Sequence, residues 1–203
     1  MNKPVIIGIA GGTASGKTTL AKKLKEKFED DVILLSHDFY YKSHTHMTME
    51  ERLQSNYDCP DAFETDYLIK QLKELQEGKT IQQPIYSYVT RLREKENVTV
   101  EPKKVIIVEG ILILENKELV DMFDLKVFVD TDADIRLLRL IKRDIKERGL
   151  DIEYISEKYK STLKPMHEQY VEPSKKNADI IVPNGGKNQA VVDLISEKIK
   201  NIL

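Results

Sequence analysis

The sequence predicts an α/β fold with a five-stranded parallel sheet flanked by helices, forming a single domain over residues 1–203. Short apolar runs of strand length recur along the chain, and segments with helical spacing of apolar residues separate them. Strands that alternate with helices favour a parallel sheet with its binding site at the carboxyl edge. Two additions are predicted, an inserted β-hairpin over about 80–100 and a helical lid over about 136–160.

The first strand, residues 4–10, leads into a glycine-rich loop that fits Gly-x4-Gly-Lys-Ser/Thr, and a helical pattern over 17–29 follows. Glycines let successive backbone N–H groups converge on a phosphate, and the helix start adds free N–H groups. Lys17 would place its charge between the β- and γ-phosphates, and Thr18 would hold Mg²⁺. This context predicts the P-loop NTPase fold and a nucleoside triphosphate site. The predicted nucleotide-binding residues are Gly11, Gly12, Thr13, Ala14, Ser15, Gly16, Lys17, Thr18 and Thr19.

Two other interpretations of these glycines were weighed. The dinucleotide fingerprint Gly-x-Gly-x-x-Gly requires a spacing that Gly8, Gly11, Gly12 and Gly16 do not have, which disfavours a dehydrogenase. A glycine turn before an ordinary helix is the other alternative, and the strand and helix that flank the loop disfavour it.

The second strand, Val32–Ser36, is followed by Asp38, which would lie at the carboxyl edge of the sheet. A carboxylate there could meet the γ-phosphate or a hydroxyl, and a loop or N-cap aspartate is the alternative. Thr48 and Glu51 form a possible capping box for the next helix. The loop 56–63 contains two acids and two aromatic residues, which suit a sugar and a base but are weak evidence alone.

Thr65 is predicted to cap a helix that Gly78 ends. Residues 80–100 then alternate as a β-hairpin with a charged turn over 91–97, and they contain several tyrosines. An aromatic hairpin beside a nucleotide site is a candidate acceptor pocket. A hairpin that simply packs on the domain is about equally expected.

The third and fourth parallel strands are Val105–Gly110 and Leu125–Asp130. Glu109 ends the third, and it resembles the carboxylate that orients Mg²⁺ in many P-loop enzymes. A helix from about 132 to 148 follows, with Leu138, Ile141 and Ile145 predicted on one face. Arg136, Arg139 and Arg143 share the opposite side, and the same helix also carries the cations Lys142, Lys146 and Arg148. These cations could close over phosphates, and a solvated charged face is the alternative.

The C-terminal part contains a helix that starts near Asp151 and is bent or broken at Pro165. The last strand is predicted over 178–182, and a loop over 184–188 separates it from a final helix.

The composition is that of an ordinary soluble protein. There are 32 Lys and Arg residues against 34 Asp and Glu residues, so no global basic field indicates a nucleic acid partner. Cys59 is the only cysteine, which rules out an internal disulfide. The chain runs from Met1 directly into a strand with no signal peptide, and no apolar run reaches membrane length. We therefore expect a cytoplasmic protein with no membrane partner.

Taken together, these stretches resemble the uridine kinase (uridine–cytidine kinase) family of P-loop kinases over nearly the whole chain. The stretches that carry the resemblance are Gly11–Lys17, Asp38–Tyr41, Tyr57–Phe63, Val108–Leu112, Phe128–Asp132, Arg143–Gly149, Glu172–Lys175 and Ala178–Pro183. Their number and order make the resemblance specific.

The resemblance implies transfer of the γ-phosphoryl group of ATP or GTP to the 5′-hydroxyl of uridine or cytidine, in pyrimidine salvage. It makes Asp38 the base that accepts the hydroxyl proton, and Asp58 the group that holds the ribose 2′- and 3′-hydroxyls. Thr18, Asp38 and Glu109 would form the Mg²⁺ site. Tyr41, Tyr86 and Tyr88 would line the pyrimidine pocket, Arg143 and Arg148 would act with Lys17 on the phosphates, and residues 184–188 would lie near the adenine. The family resemblance also suggests a homotetramer.

Four positions depart from the family pattern. Arg91 stands where a histidine commonly contacts the pyrimidine, and Leu140 and Leu150 stand where arginines are usual. Lys158 replaces a glutamine. These departures predict an altered choice of pyrimidine, since Arg91 offers hydrogen-bond donors only. The alternatives are a phosphoribulokinase-like or pantothenate kinase-like enzyme, and a regulatory paralogue with weak catalysis.

Overall fold

The computed structural model describes residues 3–203 and contains two sheets. Its strands are β1 Val5–Gly11, β2 Val32–Ser36, β3 Ile81–Ser87, β4 Leu92–Val100, β5 Val105–Gly110, β6 Leu125–Asp130 and β7 Ile180–Pro183. The main sheet has the order β2-β5-β1-β6-β7, and every pairing in it is parallel. The predicted five-stranded parallel sheet is therefore confirmed. The expectation that the chain passes from Met1 directly into a strand concerns residues 1 and 2, which lie outside the described residues.

The helices are α1 Lys17–Lys27, α2 Met49–Gln54, α3 Thr65–Gln76, α4 Lys117–Met122, α5 Ala133–Arg148, α6 Ile152–Lys158, α7 Lys164–Met166, α8 Glu172–Ser174 and α9 Gln189–Lys200. In residues 3–203 no helix has both the length and the apolar character that crossing a bilayer requires.

The core lies on both faces of the main sheet because the central strands β1 and β5 are apolar along nearly their whole length, with Glu109 near the end of β5 as the charged exception. Ile6 and Ile7 on β1 are fully buried and belong to separate clusters on opposite faces. One cluster includes the buried face of α3, such as Leu72, and the other includes Leu24 of α1 and Ile195 of α9. A sheet covered on both faces has one open edge at which chemistry can occur, the carboxyl edge.

The hairpin is present, but the position predicted for its turn is wrong. β3 and β4 pair antiparallel from Ile81 opposite Val100 to Ser87 opposite Leu92, so the turn covers residues 88–91. Arg91 closes this turn in the left-handed region with a φ of 55°. The charged residues 93–96 belong to strand β4. Most of this strand is exposed and can carry charged side chains, so charge there does not mark a turn.

In α5 the face with the apolar residues is turned to solvent, and the face with the arginines is turned inwards. Leu138 and Ile145 are 65% and 47% exposed, and the buried positions of this helix are Leu140 and Asp144. The inner side of α5 faces the glycine loop instead of an apolar core. Arg139 on that side donates to a backbone carbonyl of the loop, that of Ser15, at 3.1 Å.

The ends of α2 and α3 show one correct and one incorrect capping prediction. The capping box of α2 is confirmed, because the Glu51 N–H donates to Thr48 Oγ1 and the Thr48 N–H donates to Glu51 Oε2. The N-cap of α3 is Glu64, whereas Thr65 is its first residue and lies 3.1 Å from the ring of His37. The sequence did not show this contact because His37 is distant along the chain.

The helical backbone continues past Pro165 instead of ending there. Asp151 caps α6, and helical structure then extends to Asn177 through π-helical stretches at Tyr159–Leu163 and His167–Val171. Pro165 follows the first of these stretches, where the shifted hydrogen-bond pattern tolerates a residue without an N–H.

Candidate active site

A cavity of about 920 Å³ opens at the carboxyl edge of the main sheet. Its floor is formed by the ends of β2 and β5 and by the glycine loop after β1. Its walls are the tip of the hairpin, the inner face of α5 and the face of α6 that carries Tyr154 and Lys158. This is where a parallel sheet places a ligand.

The glycine loop has the backbone geometry that phosphate binding requires. Gly16 has a φ of 100° and directly precedes α1, so the N–H groups of the first helical turn face the loop. Six of the nine predicted nucleotide residues line the cavity: Thr13, Ala14, Gly16, Lys17, Thr18 and Thr19. The other three, Gly11, Gly12 and Ser15, form the buried back of the loop.

Glu109 lies at the centre of a group of polar side chains beneath the loop. Thr18 Oγ1 donates to Glu109 Oε2 at 3.0 Å, and Ser36 Oγ donates to Oε1 at 2.8 Å. Burial raises the pKa of Glu109, and the ammonium of Lys17, 4.0 Å away, opposes that shift. Sequence reasoning missed Ser36, although a polar residue at the end of an apolar strand was a usable signal.

Asp38 lies beside this group, in the 3₁₀ turn that follows β2. The hydroxyl of Tyr88 donates to Asp38 Oδ2 at 2.8 Å. The other oxygen, Oδ1, is buried and has no hydrogen-bond partner within residues 3–203. A buried carboxylate oxygen without a partner is unusual and is suited to accept a ligand proton or a cation.

The predicted aromatic residues form one side of the cavity. Tyr41 is stacked on Phe63 at 4.2 Å between ring centroids, and it contacts Tyr86 at 5.0 Å. Tyr86 and Tyr88 meet edge to face at 5.6 Å. Burial raises the pKa of Tyr41, Tyr86 and Tyr88, which keeps their hydroxyls protonated and able to donate.

Arg91 approaches the same aromatic wall from the hairpin turn. Its guanidinium lies 5.3 Å from the ring centroid of Tyr57, a residue to which the sequence assigned no separate role. Both residues line the cavity. A guanidinium attracted to the face of an aromatic ring keeps its planar set of N–H donors beside that ring.

Asp58 lines the cavity close to Asp38. Its pKa is raised to about 6 by burial and by the Asp38 carboxylate, against the charges of Lys158, Lys17 and Arg143. Its backbone N–H donates to Asn56 Oδ1 at 2.9 Å. Asp58 is therefore a carboxylate acceptor held in a tight local turn.

The arginines of α5 are held at the cavity edge by one buried acid. Asp144 accepts from Arg143 Nε at 2.8 Å and lies 3.4 Å from Arg148 Nη1. The Arg148 guanidinium also lies 4.7 Å from the centroid of the Tyr88 ring. The sequence missed the role of Asp144, although its i,i+4 spacing to Arg148 was visible.

The four residues that depart from the family pattern lie at different places around the cavity. Leu140 is buried on the inner face of α5, and Leu150 contributes an apolar patch to the cavity. Arg91 and Lys158 also line the cavity, so two of the departures bring cations to the site.

A glycine loop before a helix, the three carboxylates Asp38, Asp58 and Glu109, and an aromatic wall surround one cavity on a parallel sheet of this strand order. Together they define a P-loop protein of the kinase class. The sequence profile of the phosphoribulokinase / uridine kinase family matches residues 6–191. The chain belongs to this family.

Curated relatives with the same family membership match this chain over its full length. The chain is 50% identical over 204 residues to a uridine kinase of Clostridium novyi, covering 100% of this chain and 98% of the relative. It is 51% identical over 203 residues to a uridine kinase of Ligilactobacillus salivarius, covering 100% of this chain and 95% of the relative.

Solved structures show the same fold at low sequence identity. Phosphoribulokinase from Rhodobacter spheroides superposes with a TM-score of 0.68 at 16% identity, covering 90% of this chain and 71% of that one. D-glycerate 3-kinase from Cryptococcus neoformans superposes with a TM-score of 0.64 at 18% identity, covering 91% and 87%.

Proposed function

We propose that this protein is a uridine kinase, which transfers the γ-phosphoryl group of ATP or GTP to the 5′-hydroxyl of uridine or cytidine. The observation that carries the proposal is that one cavity brings Asp38, with its free oxygen, between the phosphate loop and the pair formed by Asp58 and the aromatic wall. The uridine kinases of which this chain is a full-length relative support the choice of acceptor.

The chain's residues divide the work of phosphoryl transfer, which depends mainly on positioning and charge neutralisation. The backbone N–H groups of the loop and the Lys17 ammonium bind the β- and γ-phosphates. Asp38 orients the 5′-hydroxyl and accepts its proton as that oxygen bonds to the γ-phosphorus, while the bond from this phosphorus to the β–γ bridging oxygen breaks and the nucleoside diphosphate leaves. Arg143 and Arg148 close over the negative charge that is spread on the phosphoryl oxygens.

The oxygen donors fit a magnesium ion. Thr18 and Glu109 already share a 3.0 Å hydrogen bond, and Asp38 Oδ1 has no partner among the described residues. Mg²⁺ prefers such hard oxygen ligands and retains several waters, so a hydroxyl and two carboxylates suffice. When bound, it neutralises phosphate charge.

The acceptor side of the cavity suits a nucleoside. Asp58 would accept hydrogen bonds from the ribose 2′- and 3′-hydroxyls, because a carboxylate has two acceptor oxygens. Tyr41, Tyr86 and Tyr88 would enclose the base, and Arg91 would donate to its edge. Residues 184–188, which pack on the start of α1, would contact the nucleobase of the donor.

The remaining parts of the proposal concern the whole protein. It is a single kinase domain with residues 80–100 as an insertion and 136–160 as a lid. It acts in the cytoplasm on a small molecule and assembles as a homotetramer.

The decisive test measures phosphate transfer from ATP·Mg²⁺ to uridine and to cytidine separately, with Asp38→Asn as the comparison. We expect turnover of at least one nucleoside and a loss in the variant of about 10²–10⁴-fold in kcat, the size of a general base contribution. ATP binding without turnover of either nucleoside would refute the kinase and favour a regulatory protein. Turnover of a different hydroxyl acceptor would favour a related sugar or pantothenate kinase.

A further inference from the structure

Lys158 at the end of α6 reaches across the cavity rim to the end of another helix, α2. Its ammonium donates to the backbone carbonyl of Ser55 at 2.8 Å and to that of Gln54 at 3.2 Å, and it lies 3.5 Å from that of Leu53. The last carbonyls of a helix have no N–H partner within the helix. Lys158 therefore satisfies carbonyls that α2 and the residue after it leave open.

Tyr154 contacts the same point from one turn earlier on α6. Its hydroxyl donates to the carbonyl of Leu53 at 2.7 Å. Residues at i and i+4 lie on the same face of a helix, so Tyr154 and Lys158 act together. We call this pair the α6 clamp.

The chain that the α6 clamp holds leads directly to Asp58. Residues 55–58 form a short connection in which the side chain of Asn56 accepts the Asp58 N–H at 2.9 Å. Ser55 is itself tied back to α2, because its N–H lies 3.1 Å from the carbonyl of Glu51. A displacement of the end of α2 would therefore move the Asp58 carboxylate.

Lys158 also acts on Asp58 through its charge. Both side chains line the cavity, and the ammonium opposes the rise in the pKa of Asp58 that burial and Asp38 cause. The neutral amide of glutamine, which the family resemblance expects at this position, would carry no such charge. The charge beside Asp58 therefore comes from the lysine that this chain has in place of glutamine.

We infer that Lys158 is a positioning residue that, with Tyr154, holds Asp58 against the sugar hydroxyls of the acceptor nucleoside. This rests on the proposed function, because the sugar role of Asp58 belongs to it. Binding of the acceptor sugar at Asp58 then depends on the contact between α6, which belongs to the lid, and the end of α2.

The kinetic test compares uridine with 2′,3′-dideoxyuridine, which keeps the 5′-hydroxyl and lacks both hydroxyls that Asp58 would hold. Lys158→Met should raise the KM for uridine about tenfold, as expected for loss of a charge-assisted hydrogen bond. The kcat/KM for the dideoxynucleoside should change by less than about twofold, so discrimination between the two nucleosides narrows. Lys158→Arg, which keeps the charge and the donors, should retain the wild-type discrimination between the two nucleosides. An equal loss on both nucleosides would mean a merely structural role and would overturn the inference.

A second measurement needs no substrate. Amide hydrogen exchange of residues 55–58 should be about fivefold faster or more in Lys158→Met and in Tyr154→Phe than in the wild type. Lys160→Met is the matched control, because Lys160 is exposed on the same helical run, and it should exchange as the wild type does. Unchanged exchange in both clamp variants would overturn the inference. Failure of the wild type to phosphorylate either nucleoside would refute only the proposed function, because the exchange result does not depend on it.

Discussion

At the scale of single residues, Arg91, the side chain that we propose for the base edge of the acceptor, can only donate hydrogen bonds. The Arg91 guanidinium lies over the Tyr57 ring, 5.3 Å from its centroid, and this contact keeps its N–H donors at the aromatic wall. Uracil presents O4 as an acceptor, whereas cytosine presents an amino group that itself needs an acceptor. We therefore expect the selectivity between uridine and cytidine to depend on whether residue 91 can accept a hydrogen bond from the base.

We predict that the wild type prefers uridine to cytidine and that Arg91→His narrows this preference about tenfold, the usual effect of one hydrogen bond in substrate selection. A neutral imidazole can accept from the cytosine amino group, and histidine tolerates the left-handed backbone of this turn. The measurement is kcat/KM for both nucleosides. Arg91→Lys, which still only donates, should retain the preference. A wild type that prefers cytidine would contradict the assignment.

At the scale of elements, the contact between α1 and the turn after β7 holds the phosphate loop in place. Gly186 packs so closely that an added Cβ would lie 2.7 Å from the Leu20 backbone nitrogen and 2.7 Å from Thr19 Cγ2. Since the first turn of α1 carries Lys17 and Thr18, which we propose to bind phosphate and magnesium, a shift there would reach the proposed nucleotide site directly.

We predict that Gly186→Ala destabilises the protein by about 1–3 kcal/mol through overpacking and also weakens ATP binding. Gly78→Ala is the matched control, because Gly78 has a φ of 78° and nothing within 4 Å of an added Cβ. Gly78→Ala should lower the free energy of unfolding by about 1–2 kcal/mol through backbone strain alone and leave ATP affinity unchanged. Urea unfolding and nucleotide titration separate the two effects. Equal ATP affinity in all three proteins would refute the coupling.

At the scale of the whole molecule, a buried histidine links stability to pH. His37 stacks on Phe63 at 4.1 Å and is 1% exposed, and burial lowers its pKa to about 4. In the unfolded chain its pKa is 6.5, so between these values the unfolded state binds more protons than the folded state. This contribution to stability is complete above pH 6.5 and is lost as the pH falls towards 4. Asp58, whose folded pKa is raised, acts in the opposite sense.

We predict that the free energy of unfolding falls less between pH 7 and pH 4.5 in His37→Gln than in the wild type, by an amount on the order of 3 kcal/mol. Denaturant unfolding at several pH values measures the difference, and the Asp58 contribution cancels because both proteins contain it. His46→Gln, at an exposed position, is the control and should follow the wild type. Parallel pH profiles for the wild type and His37→Gln would contradict this account.

The amino-acid sequence by itself determined the features that depend on local pattern. The strand–loop–helix unit around Lys17, the parallel sheet, the α2 capping box and the presence of a hairpin all follow from apolar periodicity and from residue types that local geometry requires. Each of these signals lies within a short window, and neighbouring residues carry the physical cause.

Only the tertiary structure decided the features that depend on what an element packs against. The inner face of α5 is cationic because the helix covers a polar loop, so helical periodicity alone did not show that Leu138 and Ile145 would be exposed. The hydrogen bonds from Ser36 and Thr18 to Glu109 and the contact of Lys158 with α2 join residues that are distant along the chain, so no local pattern specifies their pairing. A side chain's partner depends on burial and distance across the fold, and those quantities exist only once the chain is packed.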